Sequence, residues 1–223
     1  MSDTDSFIDE VTEEVRRDRL FMLLKRYGWI GGLAVVVIVG GASLREYNRA
    51  QTDAAAQALG DQMITALDSD DSADRATALD AITSATEGGD TILKLLQAGA
   101  LADAGNTETA VQRLNAVGSN GDMPLIYRHI AAFKALGLQQ DSLPAAERRI
   151  QFEALAQPGA PLALLAQEQL ALIDIEEGNT EAAITRLRDI IASAAVTSDL
   201  KDRAAQVIVA LGGTLEPTAA PEG

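Results

Sequence analysis

Cysteine is absent from all 223 residues. That removes disulfides, thiolate metal sites and thiol nucleophiles, and it suits either side of a membrane. Histidine occurs once, as His129 in IYRHIAAFKAL, and no HExxH, GxSxG, P-loop or dinucleotide-binding pattern is written anywhere. A lone histidine among apolar helix neighbours is a packed or surface residue far more often than a catalyst. Carboxylates are plentiful, but no pair stands out from a solvated face. No residue is therefore singled out as catalytic, cofactor-binding or metal-ligating, no cofactor is implied, and the chain reads as non-enzymatic. Aromatics make up only 4% of the chain while alanine abounds, which points to helices packed through small residues rather than to a β-sandwich. Positive charge is scarce as well, with 18 Lys and Arg against 33 Asp and Glu and a net of −15. Residues 1–26 hold seven acids and five bases, a net of −2, whereas residues 45–223 hold 26 acids and 13 bases, a net of −13. So acidic a body repels phosphate backbones and anionic lipid heads, and this argues against nucleic acid as a partner.

Charge is missing altogether from YGWIGGLAVVVIVGGASL, residues 27–44. As a helix at about 1.5 Å per residue it spans roughly 27 Å, close to the hydrocarbon thickness of a bilayer. Tyr27 and Trp29 stand at one rim, Tyr47 lies just past the other, and Lys25 and Arg45 are placed to snorkel outward. The segment reads as a single transmembrane helix in contact with lipid. A buried core helix would show a polar edge, and none is present. A cleavable signal peptide finds a small-x-small pattern at Gly40 and Ala42, but 26 acid-rich residues precede the apolar run, so an uncleaved anchor is expected. Arg16, Arg17, Arg19, Lys25 and Arg26 precede the span and only Arg45 and Arg49 follow closely. This bias places the N-terminus in the cytoplasm and the acidic body outside, which is the periplasm in a Gram-negative inner membrane.

The head has a pattern of its own. Ser6 and Asp9 resemble a capping box, and Phe7, Val11, Val15 and Met22 recur at helical spacing, so SFIDEVTEEVRRDRLFMLLKR reads as an amphipathic helix entering the membrane. Gly28 and Gly32 form a GxxxG that permits close helix packing there.

Beyond the span, REYNRAQTDAAAQALGDQMITAL, 45–67, is rich in helix formers. The run DSDDSAD, 68–74, breaks it. Counted from Asp68, an EF-hand needs Gly and Glu where Ala73 and Leu79 stand, so these acids read as a solvated, N-capping loop. Apolar periodicity and punctuation then predict helices near 73–86, 90–104, 107–117, 123–137, 144–156, 160–177, 180–193 and 198–211. The tail TLEPTAAPEG, 214–223, is expected to be disordered.

The sequence repeats itself. GNTETAVQRL, 105–114, and GNTEAAITRL, 178–187, share seven of ten residues at a spacing of 73. Gly suits a left-handed C′ position, Asn or Thr suits the next N-cap, and Glu suits the first turn, so each GNTE reads as a hinge between helices. Ala110 and Ala183 let the second helix approach the first, with Leu114 and Leu187 one turn later on the same face. Gly, Ala at +5 and a large apolar residue at +9 resemble the turn and second helix of a tetratricopeptide repeat. Ala98 and Ala171 match that family's small residue in the first helix, whereas Leu101 and Asp174 stand where it favours an aromatic, and Gly137 lies 32 and 41 residues from its neighbours. The fold class expected is all-α: one N-terminal transmembrane helix followed by a degenerate tetratricopeptide-like α-solenoid over 45–213. A longer loop is expected at Gln139–Leu143.

The head FIDEVTEEVRRDRL, the following KRYGWI, one span, and an acidic, alanine-rich repeat array together resemble the YfgM family of ancillary SecYEG translocon subunits, its alphaproteobacterial branch in particular. The resemblance covers essentially the whole chain. It implies a membrane-anchored periplasmic scaffold whose partners are the SecYEG translocon, a PpiD-like periplasmic chaperone and exported polypeptides, and which assists chaperone handover. A periplasmic scaffold for cell-division envelope constriction would share the repeats, and a secreted soluble repeat protein would require cleavage after Ala42. Arg148, Arg149, Arg186, Arg188 and Arg203 offer a groove for acidic peptide ends, but surface ion pairs with Glu147, Glu181, Asp189 and Asp202 are the expectation. Tyr127, Arg128 and Lys134, between the two GNTE copies, mark where a binding face is sought.

Overall fold

Where this chain stops a helix is decided by a few residues, and the computed structural model describes residues 3–215, with side chains from Lys25 onward except at Gly28. The first helix, α1, runs without a break over Asp3–Leu67. It takes in the expected head, the span and residues 45–67, because nothing between Asp3 and Leu67 is a proline and glycines inside a helix cost only about 1 kcal/mol each. The side-chain pattern of the head, including the Ser6–Asp9 capping box, and the GxxxG at Gly28 lie outside the described residues. Within α1, the stretch starting at Trp29 is long and apolar enough to cross a membrane, with a mean hydropathy of 1.4 and none of its most apolar 18 residues buried. It is the one such helix among the described residues, and it fits single-pass anchoring.

Eight shorter helices follow: α2 Ser72–Asp80, α3 Glu87–Asp103, α4 Thr107–Gly118, α5 Leu125–Leu138, α6 Ala145–Leu155, α7 Ala163–Glu176, α8 Thr180–Ala192 and α9 Ser198–Ala210. The acidic run before α2 does cap it. Asp71 accepts from the amides of Ala73 and Asp74 at 2.8 and 3.0 Å, so its carboxylate satisfies two orphan donors of the first turn. The helix expected over 73–86 ends at Asp80. Downstream, Ser84 and Thr86 bond their own neighbourhood, and Thr86 caps α3 through the Gly89 amide at 3.2 Å. Short hydroxyl side chains compete in this way with helical backbone bonding.

Both GNTE hinges close as Schellman turns. Gly105 and Gly178 have φ of +81° and +78°. Asn106 donates its amide to the Leu101 carbonyl and Gly105 to that of Ala102, while Asn179 and Gly178 repeat the pair onto Asp174 and Ile175. These bonds satisfy the last carbonyls of α3 and α7. The expected cap is corrected in one respect: Asn106 and Asn179 hold the N-cap positions, yet neither side chain makes a capping bond. Their φ near −88° and ψ near 57° lie outside the extended region from which a side chain reaches the second or third amide. Gly137, where the helix expected over 123–137 was to end, sits inside α5 without a positive φ. The α5–α6 connection occupies 139–144 and ends in Pro144, just before the first residue of α6.

Residues from Leu59 onward form one packed unit, so residues 45–58 belong with the rest of α1 and not with that unit. Its core comes in four clusters strung along the chain. Met63 and Ala66 from the end of α1 join Leu79 of α2 and Leu93 of α3. Ala98 of α3, Ala110 and Leu114 of α4, and Ala131 of α5 make the second. Leu136, Phe152, Leu170 and Ile173 link α5, α6 and α7, with the Phe133 and Phe152 rings edge to face at 5.7 Å. Ala171, Leu187, Ala204 and Ile208 unite α7, α8 and α9. Helices α3, α5 and α7 each serve two clusters, and from α2 onward the helices pack mainly on their neighbours in chain order, the arrangement of stacked helical hairpins. Ala98, Ala110, Ala171 and Ala183, read from the repeat as small packing residues, are all fully buried.

Candidate functional site

Helices α5, α7 and α9 present one side of the stack together. Between them runs a groove of about 540 Å³ whose apolar wall is Phe133, Leu165, Leu172 and Val207. Leu172 is 42% exposed, although its neighbours Ala171 and Ile173 are buried in separate clusters on either side of the helix. Gln169 and Gln206 add amides to the lining. Neither takes part in a hydrogen bond among the described residues. Among the described residues the charges lining the groove are Glu168 of α7 and Arg203 of α9, and they close on each other: Nε and Nη2 of Arg203 donate to the two carboxylate oxygens at 2.9 and 2.8 Å. This fork geometry is the strong, bidentate form of the pair. The hydrogen bond to Glu168, and then its charge, hold the Arg203 guanidinium above its ordinary pKa.

The other arginines offered as a carboxylate-reading groove are also committed, and mostly to partners other than those expected. Arg148 of α6 donates to Glu176. Arg149 donates to Asp174 at 2.8 Å and to Glu177 at 2.7 Å. Arg186 of α8 donates to Asp174 at 3.0 Å and to the Gln167 amide oxygen at 2.6 Å. Arg188 donates to the Thr214 carbonyl at 2.9 Å, so the first residue of the tail is tied to α8. Burial opposes the charge on Arg149, but the hydrogen bonds and charges of Asp174 and Glu177 outweigh it and its pKa also lies above the usual value. A raised folded-state pKa stabilises the fold at every pH below the unfolded value, so Arg149 and Arg203 remain cationic throughout the physiological range. The expectation of ion pairing holds, and the expected partners Glu147, Glu181, Asp189 and Asp202 are replaced by Glu168, Asp174, Glu176 and Glu177 of or beside α7. Residues adjacent in sequence point to different sides of a helix, so Arg148 cannot turn to Glu147 as easily as across to the next helix.

Asp174 was noted in the sequence only as a departure from the repeat's aromatic position, and its pairing role was missed. It is 3% exposed and accepts from arginines of both flanking helices, stapling α6, α7 and α8. A signal for it existed: Arg113 and Arg186 are the same residue of the repeated ten, and both reach across to an earlier helix. Arg113 donates to Gln97 of α3 and Asp80 of α2, and Gln97, itself buried, donates to the Leu79 carbonyl at 2.9 Å. A preserved arginine beyond the hinge is a demand for an acceptor nearby.

Of the three residues marked between the hinges, Lys134 is exposed beside Phe133. Arg128 donates weakly to the Gly118 carbonyl at 3.4 Å, and Tyr127 is half-buried near the start of α5. None of the three lines the α5–α7–α9 groove. His129 is half-buried on α5 with Nδ1 unpartnered among the described residues. Two further grooves, of about 740 and 530 Å³, meet at Leu164, Gln167 and Ser193 where α7 and α8 join the α6–α7 loop. No family model, curated protein or solved structure matches the sequence. The chain's own geometry and charge are left to indicate a role. They describe a helical stack with several arginines held in ion pairs and a groove whose one charged pair is closed, and, separately, an uncovered apolar stretch of α1.

Proposed function

We propose that the chain is a single-pass, membrane-anchored scaffold that binds partner proteins beside the SecYEG translocon and assists handover of exported polypeptides to a PpiD-like chaperone. Its role is binding, not catalysis. In this reading the N-terminus is cytoplasmic and the helices from α2 onward lie in the periplasm, which agrees with the basic residues gathered before the span. The observation that carries it is the uncovered apolar stretch of α1: Trp29, Ile38 and Leu44 are each about two-thirds exposed, far more apolar surface than a water-soluble helix leaves bare. Fixing a helical stack to the bilayer raises its effective concentration for a chain or domain emerging at the same surface. The resemblance of the head and layout to the YfgM family supplies the translocon as the partner.

Two measurements test this. The full-length chain, affinity-tagged and extracted in mild detergent, is expected to bring SecY, SecE, SecG and a PpiD-like chaperone with it in mass spectrometry; their absence sinks the translocon assignment. Because the chain has no native cysteine, Ser6→Cys and Ser142→Cys are clean topology reporters. A membrane-impermeant maleimide applied to spheroplasts is expected to label Ser142→Cys alone, and labelling at Ser6→Cys instead would invert the proposed orientation.

A further inference from the structure

We infer that the α5–α7–α9 groove takes an uncharged, extended apolar polypeptide segment, in preference to an acidic tail or a free C-terminal carboxylate. The inference rests on the scaffold reading above and names the chemistry of what the scaffold holds.

Three observations converge on that occupant. The wall is apolar, and Leu172 is held open at its middle by buried neighbours on both sides, so an apolar side chain gains by covering it. Gln169 and Gln206, on α7 and α9, each offer a donor and an acceptor that are not used within the described chain, and a peptide backbone presents the complementary pair at every residue. The third observation is electrostatic. Arg203 is engaged through Nε and Nη2 by both oxygens of Glu168, so among the described residues the one cation lining the groove already has its charge matched. The residues after the span carry a net of −13, which repels an anionic segment before it arrives. At about 540 Å³ the groove has room for a short run of residues and not for a folded domain.

The test uses the full chain in nanodiscs of neutral lipid and a fluorescein-labelled, amidated nine-residue peptide of alternating leucine and serine, read by fluorescence anisotropy. Saturable binding is expected, weakened at least tenfold when aspartate replaces two of the serines and unchanged when the amide is replaced by a free carboxylate. Leu172→Glu is expected to weaken binding at least tenfold, and Gln206→Ala severalfold, with helix content by circular dichroism unchanged. Ala182→Glu, exposed on α8 away from the groove, is expected to bind as the parent chain does and corrects for peptide held by the lipid. Tighter binding of the free carboxylate that Arg203→Ala removes would overturn the inference in favour of a carboxylate clamp. Binding unaffected by both Leu172→Glu and Gln206→Ala would overturn it as well. The two proposals fail separately: translocon components that copurify while no peptide binds leave the scaffold standing and remove this site, and peptide binding without those components does the reverse.

Discussion

Replacing Asp174 by leucine should destabilise the stack measurably, and the geometry sets the size of the effect. Asp174 accepts from Arg149 and Arg186 while its own side chain is only 5% exposed. Removing one member of a fully buried pair costs about 3–5 kcal/mol, because the remaining charge has lost its partner. Here the two arginine side chains are 22% and 28% exposed, and each keeps a second acceptor, Glu177 for Arg149 and Gln167 for Arg186. Solvent screening and the retained bonds reduce the expected loss to about 2 kcal/mol. For a chain of this size that is a fall in Tm of about 4–8 °C.

Thermal unfolding of the full-length chain in detergent, followed by circular dichroism at 222 nm, reads this directly. Asp202→Ala is the matched control: it also removes one acid, and Asp202 is the neighbour first expected to pair with Arg203. It should shift stability by less than about 0.5 kcal/mol. The double variant Asp174→Leu with Arg186→Leu should be less damaged than the sum of the two single changes, since a buried pair exchanged for apolar groups of similar volume is often neutral. If Asp174→Leu lowers Tm by no more than Asp202→Ala does, or the two changes simply add, Asp174 is not the staple its contacts suggest.

Two further outcomes concern the hinges. Gly178→Ala places a Cβ on a residue at φ +78° with open space around it, so only the backbone term counts; a loss of about 1 kcal/mol is expected, with Gly178→Asn smaller, in the same melt. Ala183→Leu adds three carbons to a fully buried site between α7 and α8 and should cost about 1–3 kcal/mol or more, whereas Ala182→Leu, exposed one residue earlier, should be close to neutral.

Helix placement was legible because its determinants are local. Gly105 and Gly178 each mark a helix end by backbone geometry, and such residues act within a few positions of themselves. The buried alanines were legible for a related reason, since their spacing from the glycine fixes their face. The misreadings arose where two local solutions compete or where partners are distant. Ser84 and Thr86 turn the chain inside what apolar spacing alone extends as helix. The partner of Arg203, which has no counterpart in the repeated ten, was out of reach: it meets Glu168 35 positions away, and sequence proximity offered Asp202. The groove was approached at Tyr127, Arg128 and Lys134 because they lie between the hinges, yet its walls come from α5, α7 and α9 at once, a juxtaposition that exists only after stacking.

The repeated ten residues carry more than a hinge. Their glycine sets the turn, their alanine and leucine set the packing, and their arginine sets a cross-helix bond whose acceptors differ between copies. Arg113 finds Asp80 on α2 and Gln97 on α3, while Arg186 finds Asp174 and Gln167 on α7. This explains why Leu101 of the first copy has an aspartate as its counterpart in the second: α2 already supplies the acid in the first copy, so the apolar residue can remain, and in the second the acid must come from α7 itself. The same habit shapes the exterior. Arginines paired with acids of other helices have their charge matched, and the excess of acids over bases leaves the body after the span with its net of −13. The body therefore keeps its negative field while the α5–α7–α9 groove, with its one ion pair closed, stays neutral. A surface that repels anions around a groove that holds no free charge selects its occupant by apolar contact and backbone hydrogen bonding.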